Sequence, residues 1–303
     1  KNKKTNTKKS KILCRQKIKP KVGIFSFTSC AGCQFEILDL EDELLDVIEK
    51  INLAHFPMAK AENDSGNFDI VFVEGAITTK KEVVKIKQVR KKAKYLVALG
   101  TCASYGGVPS IKDFYTEEEI EVPVYKSTKV VQSIRADGIA NYVKVDYFMH
   151  GCPPNKYEFL HVLKELLVGK TPRQPDFPVC KECRENKNPC LLQQGKLCMG
   201  PITNGGCNAI CINHGIECKG CRGPIEDANI DSIVKLYEKY GYTNEDIKRF
   251  FIGYAGTSKV FNKVVGRTCD LSMSKIFVKK NKSKIKIKNP KSMNKKRGNK
   301  KWK

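Results

Sequence analysis

Val22-Gly23-Ile24-Phe25-Ser26-Phe27-Thr28-Ser29-Cys30-Ala31-Gly32-Cys33 is the stretch from which the fold can be read. Its first half is a β-branched and aromatic run, which predicts a strand over residues 22–27. Its second half stops that strand in a loop with two cysteines three residues apart. A helical pattern follows, with Ile37, Leu38, Leu40, Leu44, Leu45, Val47, Ile48 and Ile51 at helical spacing. The strand–loop–helix order then recurs. Residues 69–74 predict a buried strand closed by Gly75. Residues 80–92 predict a helix with Val83, Val84, Ile86 and Val89 as its apolar stripe. Residues 95–99 predict a strand ending in Gly100-Thr101-Cys102. Residues 142–148 predict another, ending in His150-Gly151-Cys152-Pro153-Pro154, and a helix over 155–168 carries Phe159, Leu160, Val162, Leu163, Leu166 and Leu167 on one face. Strands alternating with helices predict an α/β fold, a doubly wound parallel sheet with helices on both faces.

Composition changes at Gly169-Lys170-Thr171-Pro172. Between Cys180 and Cys221 the chain is rich in Cys, Gly, Pro and Asn and has little periodicity. Such a segment is expected to lack a conventional core and to need cross-linking. Residues 230–240 and 244–251 predict two small helices. The expected organisation is a basic tail over 1–20, an α/β domain over 21–168, a small irregular domain over 172–265 and a second basic tail over 266–303.

The formal net charge of +24 suggests a nucleic-acid binder until the charge is located. Residues 1–21 hold ten Lys and Arg and no acid, and residues 269–303 hold fourteen against one acid, which leaves +1 for residues 22–268. The domains are near neutral, and the tails are read as solvated extensions. The rival reading is weak binding of the tails to an acidic partner, nucleic acid or membrane surface. No run of 18 apolar residues exists, so no membrane span is expected. No apolar leader or twin-arginine pair is found, which predicts a cytoplasmic location. Fourteen cysteines in such a chain argue against a disulfide framework and for metal or iron–sulfur ligation.

Cys30, Cys33, Cys102 and Cys152 each follow the carboxyl end of a predicted strand. In an open parallel sheet those ends converge on one edge, where ligands bind. Four thiolates are the usual complement of one 4Fe–4S cluster. A lone C-x2-C pair is also compatible with a redox pair or half a zinc site, and a buried cysteine with a small hydrophobe. Glu74 closes a strand on the same edge and reads equally as a proton-relay group or a polar strand end.

Eight more cysteines follow: Cys180, Cys183, Cys190, Cys198, Cys207, Cys211, Cys218 and Cys221. Eight ligands serve two four-ligand centres. Each half has one C-x2-C pair plus two isolated cysteines, which fits iron–sulfur better than the paired spacing of two zinc ribbons, although zinc stays open on spacing alone. Cys14 and Cys269 have no partner at ligand spacing and read as free thiols. His150 and His214 read as hydrogen-bonding neighbours of ligand loops rather than ligands; His55 and His161 read as structural.

Taken together, Thr28-Ser29-Cys30-Ala31-Gly32-Cys33, Val73-Glu74-Gly75, Gly100-Thr101-Cys102-Ala103 with Gly106-Gly107, and Gly151-Cys152-Pro153-Pro154 resemble the flavodoxin-like domain of nickel–iron hydrogenase small subunits. That domain is shared with the 20 kDa-type subunit of NADH:ubiquinone oxidoreductase. Cys180-Lys181-Glu182-Cys183-Arg184, Cys198-Met199-Gly200-Pro201, Gly206-Cys207-Asn208-Ala209-Ile210-Cys211 and Cys218-Lys219-Gly220-Cys221-Arg222-Gly223 are similar to the two-cluster domain of cytoplasmic, NAD(P)-linked hydrogenases, the sulfhydrogenase delta type in particular. The resemblance covers roughly residues 21–260. It implies three 4Fe–4S clusters: a proximal one on Cys30, Cys33, Cys102 and Cys152, a distal one on Cys180, Cys183, Cys190 and Cys198, and a medial one on Cys207, Cys211, Cys218 and Cys221.

The implied role is electron transfer between a large subunit's nickel–iron site and a flavoprotein subunit using FAD and NAD(P), with a further iron–sulfur subunit as partner. The nickel–iron centre, the FAD and the NAD(P) belong to partners, and no catalytic residue is expected in this chain beyond the possible relay group Glu74. The alternative is the small subunit of a deazaflavin-linked or heterodisulfide-reductase-linked hydrogenase. A quinone-reducing role is disfavoured, because relatives of that type carry adjacent cysteines where this chain has Cys30 and Cys33 and lack the eight-cysteine domain. A zinc-stapled nucleic-acid-binding module is the remaining rival.

Overall fold

The computed structural model describes residues 19–120, 123–124 and 133–268. Cys14, Cys269 and most of each basic tail lie outside them. Strand β1 (Lys21–Ser26) leads into helices α1 (Gly32–Leu38) and α2 (Asp42–Ile48). Then come β2 (Asn52–His55), β3 (Phe68–Glu74), α3 (Lys80–Lys92), β4 (Ala93–Leu99) and α4 (Gly100–Tyr105). A 3-10 helix (Val108–Phe114), the short α5 (Glu117–Ile120), β5 (Tyr147–Met149) and α6 (Lys156–Leu167) complete the first half. The strands form one sheet in the order β2-β1-β3-β4-β5, every pair parallel. This is the doubly wound order of flavodoxin-like folds, with its switch point between β1 and β3.

Alternation along the strands builds two cores, as a sheet covered on both faces requires. Val22, Ile24, Ile70, Phe72, Val97 and Leu99 face one side, under α1, α2 and α6. Phe25, Val71, Val73, Leu96 and Ala98 face the other, under α3 and α4. Helix α3 starts at a reciprocal cap in which Glu82 N–H donates to Thr79 Oγ1 and Thr79 N–H to the Glu82 carboxylate. Asn155 caps α6 by accepting from the N–H groups of Tyr157 and Glu158 at 2.8 and 3.2 Å.

Several sequence expectations differ from these elements. The pattern over 37–51 predicts a continuous helix, but the chain breaks at Glu41, whose φ is 49°. The break turns Leu40 and Val47 inward and leaves Leu45 62% exposed. On α3, Ile86 and Val89 are buried while Val84 is 57% exposed. The strand predicted over 142–148 pairs only at Tyr147–Met149. Just before it the Asp146 carboxylate accepts from Leu96 N–H at 2.8 Å and from Arg90 at 2.6 Å, so a side chain occupies the place of a ladder bond.

In the second half α7 (Val179–Glu185) and α8 (Ile210–Asn213) carry cysteines, and α9 (Ile230–Lys239), α10 (Asn244–Ile252) and α11 (Asn262–Thr268) follow. The segment from Cys180 to Cys221 is expected to lack a conventional core of its own, and the core it joins is completed by residues that follow it. Val179, Leu191, Met199, Ile202 and Ile212 from the cysteine-rich segment pack with Ile233, Tyr237, Ile247, Phe251, Phe261 and Val264 from the last three helices. The segment is poor in apolar residues, and the helices after it supply them. Among the described residues no helix is long and apolar enough to cross a membrane.

Candidate metal centres

Twelve cysteines are described, and all are free thiols. Their mutual electrostatic influence groups them in three sets of four, with further influence between Cys218 and Cys198 and between Cys221 and Cys152. Cys30, Cys33, Cys102 and Cys152 form the first. They are brought together by the carboxyl ends of β1, β4 and β5, beside the switch point. Cys33 is buried, Cys102 half-buried, and Cys30 and Cys152 exposed. Gly100 has φ +85°, and a Cβ there would lie 2.4 Å from Cys33 Sγ, so only glycine fits under this sulfur.

Glu74 ends β3 against this set and is 1% exposed. Burial pushes its carboxyl pKa up, opposed by the Gln34 and Ser29 side chains and the Cys33 N–H. None of these reaches hydrogen-bonding geometry with its oxygens. Burial also raises the Cys33 thiol, with Glu74 and the other three thiols adding to it. It pushes Cys102 up to about 12.

Cys180, Cys183, Cys190 and Cys198 form the second set, on α7 and the loop after it. Burial raises Cys180 to about 12, with the other three thiols contributing. Cys190 is the exposed member. Tyr237, fully buried on α9, donates from its hydroxyl to Cys198 O at 2.8 Å, tying this set to the helical core.

Cys207, Cys211, Cys218 and Cys221 form the third set. It lies between the other two. Cys152 of the first set acts electrostatically on Cys221, and Thr101 Oγ1 donates to Cys221 O at 2.6 Å. On its other side Cys198 acts electrostatically on Cys218, and Met199 N–H donates to Cys218 O at 2.9 Å. The chain order of the sets is first, second, third; their order in space is first, third, second.

The histidines separate cleanly. His150 is buried, stacked between Tyr105 and Phe148 at centroid distances of 5.1 and 5.9 Å. Burial and then Arg222 lower its pKa to about 3, so the ring is neutral, and its Nδ1 has no partner. His214 is exposed. His55 stacks on Phe25 at 3.9 Å, and His161 is an exposed partner of Glu165. Sequence reasoning missed Arg222, which is 1% exposed and bonded to Glu158. Its only sequence signal is its place after Cys221.

Among the described residues no group of three or more His, Cys, Asp or Glu side chains is drawn in tightly enough for a single metal ion. The donor chemistry instead matches four-iron cages. Each set offers four unpaired thiols, the complement of one such cluster. Burial raises the thiols of Cys33, Cys102, Cys152, Cys180, Cys183, Cys198, Cys207, Cys218 and Cys221 in the chain alone, and bound iron would supply the positive charge that stabilises thiolates.

Residues 30–166 match the family described as NADH ubiquinone oxidoreductase, 20 Kd subunit. The chain is 36% identical over 231 residues to the sulfhydrogenase 2 subunit delta of Pyrococcus furiosus, across 76% of this chain and 96% of that relative. It is 33% identical over 234 residues to one subunit of the F420-non-reducing hydrogenase of Methanocaldococcus jannaschii, across 67% of this chain and 81% of that relative. Against the NAD-reducing hydrogenase HoxS subunit delta of Cupriavidus necator it is 26% identical over 168 residues, across 50% of this chain and 80% of the relative.

Proposed function

This chain belongs to the family of delta-type hydrogenase small subunits and is a subunit of a hydrogenase, and from that premise we propose that it is the electron relay between a large subunit's nickel–iron site and an NAD(P)-linked flavoprotein subunit in the cytoplasm. The observation that carries the reading is the row of three four-thiol groups, with Cys221 and Cys218 of the Cys207 group bonded through their carbonyls to Thr101 and Met199, next to Cys102 and Cys198 of the other two. In this reading Cys30, Cys33, Cys102 and Cys152 hold the proximal 4Fe–4S cluster. Cys207, Cys211, Cys218 and Cys221 hold the medial one, and Cys180, Cys183, Cys190 and Cys198 the distal one. Such clusters, when bound, supply one-electron carriers whose potentials follow ligation, burial and nearby charge.

The chain's own residues would do the rest. In this reading the exposed Cys30 and Cys152 would turn to the large subunit and the exposed Cys190 would lie towards the far end, while Cys211 of the middle set is exposed as well. The bonds from Thr101 Oγ1 to Cys221 O and from Met199 N–H to Cys218 O would hold neighbouring sets in register. Glu74, buried beside the first set with a raised pKa, suits a group that holds a proton there and releases it. Glu74→Gln should keep the iron content and slow hydrogen–deuterium exchange by the complex; unchanged exchange removes Glu74 from the proton route.

The decisive experiment is metal analysis of oxygen-free protein. About twelve irons and twelve acid-labile sulfides per chain are expected, four of each per cluster. Stoichiometric zinc with little iron would overturn the reading. Copurification with a flavoprotein bearing a dinucleotide-binding motif supports the NAD(P) acceptor. Copurification only with a heterodisulfide reductase or a deazaflavin-linked subunit refutes that acceptor while leaving the relay intact.

A further inference from the structure

Arg222 heads the largest completely buried side chains of the described residues, and its whole guanidinium is engaged across the seam between the two halves. Nη1 donates to Glu158 Oε2 at 2.8 Å and Nη2 to Glu158 Oε1 at 2.9 Å, a two-pronged pair with α6 of the first half. Nη1 also donates to His150 O at 2.6 Å, and Nε to Gly205 O at 2.5 Å. Gly206, at φ +101°, is a glycine for this reason: a Cβ there would lie 2.7 Å from Nη2. The arginine follows Cys221 directly, and the loop it grips leads straight into Cys207. Its charge is felt at both thiols. The other charged group at this place is Glu182, whose carboxylate accepts from Gly206 N–H at 2.8 Å and stands beside Cys207.

Docking alone does not call for this arrangement. Replacing a buried ion pair by well-packed apolar side chains is often neutral or stabilising, because desolvation offsets much of the Coulomb gain. A fixed charge in a low-dielectric seam acts strongly on neighbouring groups that change charge. In the proposed reading the group here that changes charge is the redox centre held by the third set.

We propose that Arg222 is a positioning residue that locks the third thiol set against the first and keeps a fixed positive charge beside Cys207 and Cys221, favouring the reduced form of the redox group those thiols hold, with Glu158 as its counter-charge. The inference rests on the reading that this set holds a cluster. Neutralising Arg222 lowers that group's reduction potential. Neutralising Glu158 leaves the guanidinium uncompensated and raises it. A purely structural role predicts no such opposition of sign.

The test uses the intact hydrogenase complex with Arg222→Gln, Arg222→Lys and Glu158→Gln. Iron and sulfide are counted, and each cluster's potential is read by redox titration with electron paramagnetic resonance. Arg222→Gln should make the third set's cluster about tenfold harder to reduce, about 59 mV for one electron. Arg222→Lys should recover most of that shift, Glu158→Gln should shift the opposite way, and the cluster on the Cys180 set should stay put. If Arg222→Gln loses its iron, Arg222→Lys and Glu158→Gln still carry the sign. Equal shifts in all three clusters, shifts of the same sign in Arg222→Gln and Glu158→Gln, or no shift with clusters intact overturn the inference alone. Wild-type complex without iron overturns the cluster reading and this inference with it.

Discussion

Phe251→Ala tests whether the last three helices hold the eight-cysteine half together. Phe251 is 1% exposed on α10 and meets Phe261 edge-on at 5.4 Å and 84°. Its ring accounts for about 150 Å² of buried surface, worth about 4 kcal/mol at about 25 cal per Å². The edge-on pair adds about 1 kcal/mol, and measured substitutions of this kind cost about 3–5 kcal/mol. Domains are stable by only about 5–15 kcal/mol, so the second half should become marginal while the sheet domain keeps its own cores. The assay is denaturant unfolding of oxygen-free protein, followed by the visible absorbance of bound iron–sulfur and by iron per chain. Iron should fall from about twelve towards about four per chain, leaving the first set loaded. Phe72→Ala, at a fully buried ring tilted on Phe159 at 4.9 Å, should strike the first set instead. If Phe251→Ala keeps all its iron at wild-type stability, or sheds iron evenly from all three sets, the separate helical core is not what holds the second half.

Tyr237→Phe removes the hydroxyl that donates to Cys198 O and leaves that carbonyl unpaired; it should cost about 1 kcal/mol in unfolding free energy, and a stability gain would show that the bond contributes nothing. The iron-free chain should weaken in alkali. Burial raises Cys102, Cys180 and Cys221 from the usual 9.0 to about 12, so between those values the unfolded chain has released protons that the folded chain retains. Stability is therefore full below pH 9 and falls as pH rises towards 12, and a denaturation midpoint that is flat or rising from pH 9 to 11 contradicts this. Cys102→Ser should abolish hydrogen-driven reduction of every acceptor, whereas Cys190→Ser should spare reduction of a small dye far more than reduction of NAD(P). Equal loss of both activities in a Cys190→Ser complex that keeps its other two clusters refutes the spatial order of the sets.

Much of this chain was legible before any coordinates. Residues 22–27, 69–74 and 95–99 are short, near-continuous apolar runs rich in β-branched and aromatic residues, a local signal that reads as strands buried on both faces. The ends of the strand before Cys30, of β4 and of β5 carry the cysteines, and parallel-sheet topology alone sends those ends to one edge. Other elements were hidden for physical reasons. Strand β2 is four residues with Asn52 and His55 at its ends, too short and polar to show alternation. The split between α1 and α2 turns on one residue, Glu41, held at positive φ by packing on either side of it.

The cysteine sets divide the same way. Spacing suggests two groups of four among the eight cysteines of residues 180–221, which are local in sequence, whereas Cys30, Cys33, Cys102 and Cys152 are joined only by the topology of the sheet. Which set lies in the middle was carried only by family resemblance, since chain order places the Cys180 set there. The structure adds contacts that chain order does not show, from Thr101 to Cys221 O and from Met199 to Cys218 O, 120 and 19 positions apart, and these support the proposed order. Arg222 is the same case: a lone arginine in sequence, it becomes a buried charge only when α6 brings Glu158 across the seam. The core beneath the eight cysteines is likewise a tertiary product, because the segment has too few apolar residues of its own and borrows them from α9, α10 and α11. Local pattern encodes which atoms a segment offers. Where those atoms meet depends on long-range packing and on the burial of charge, which no window of sequence contains.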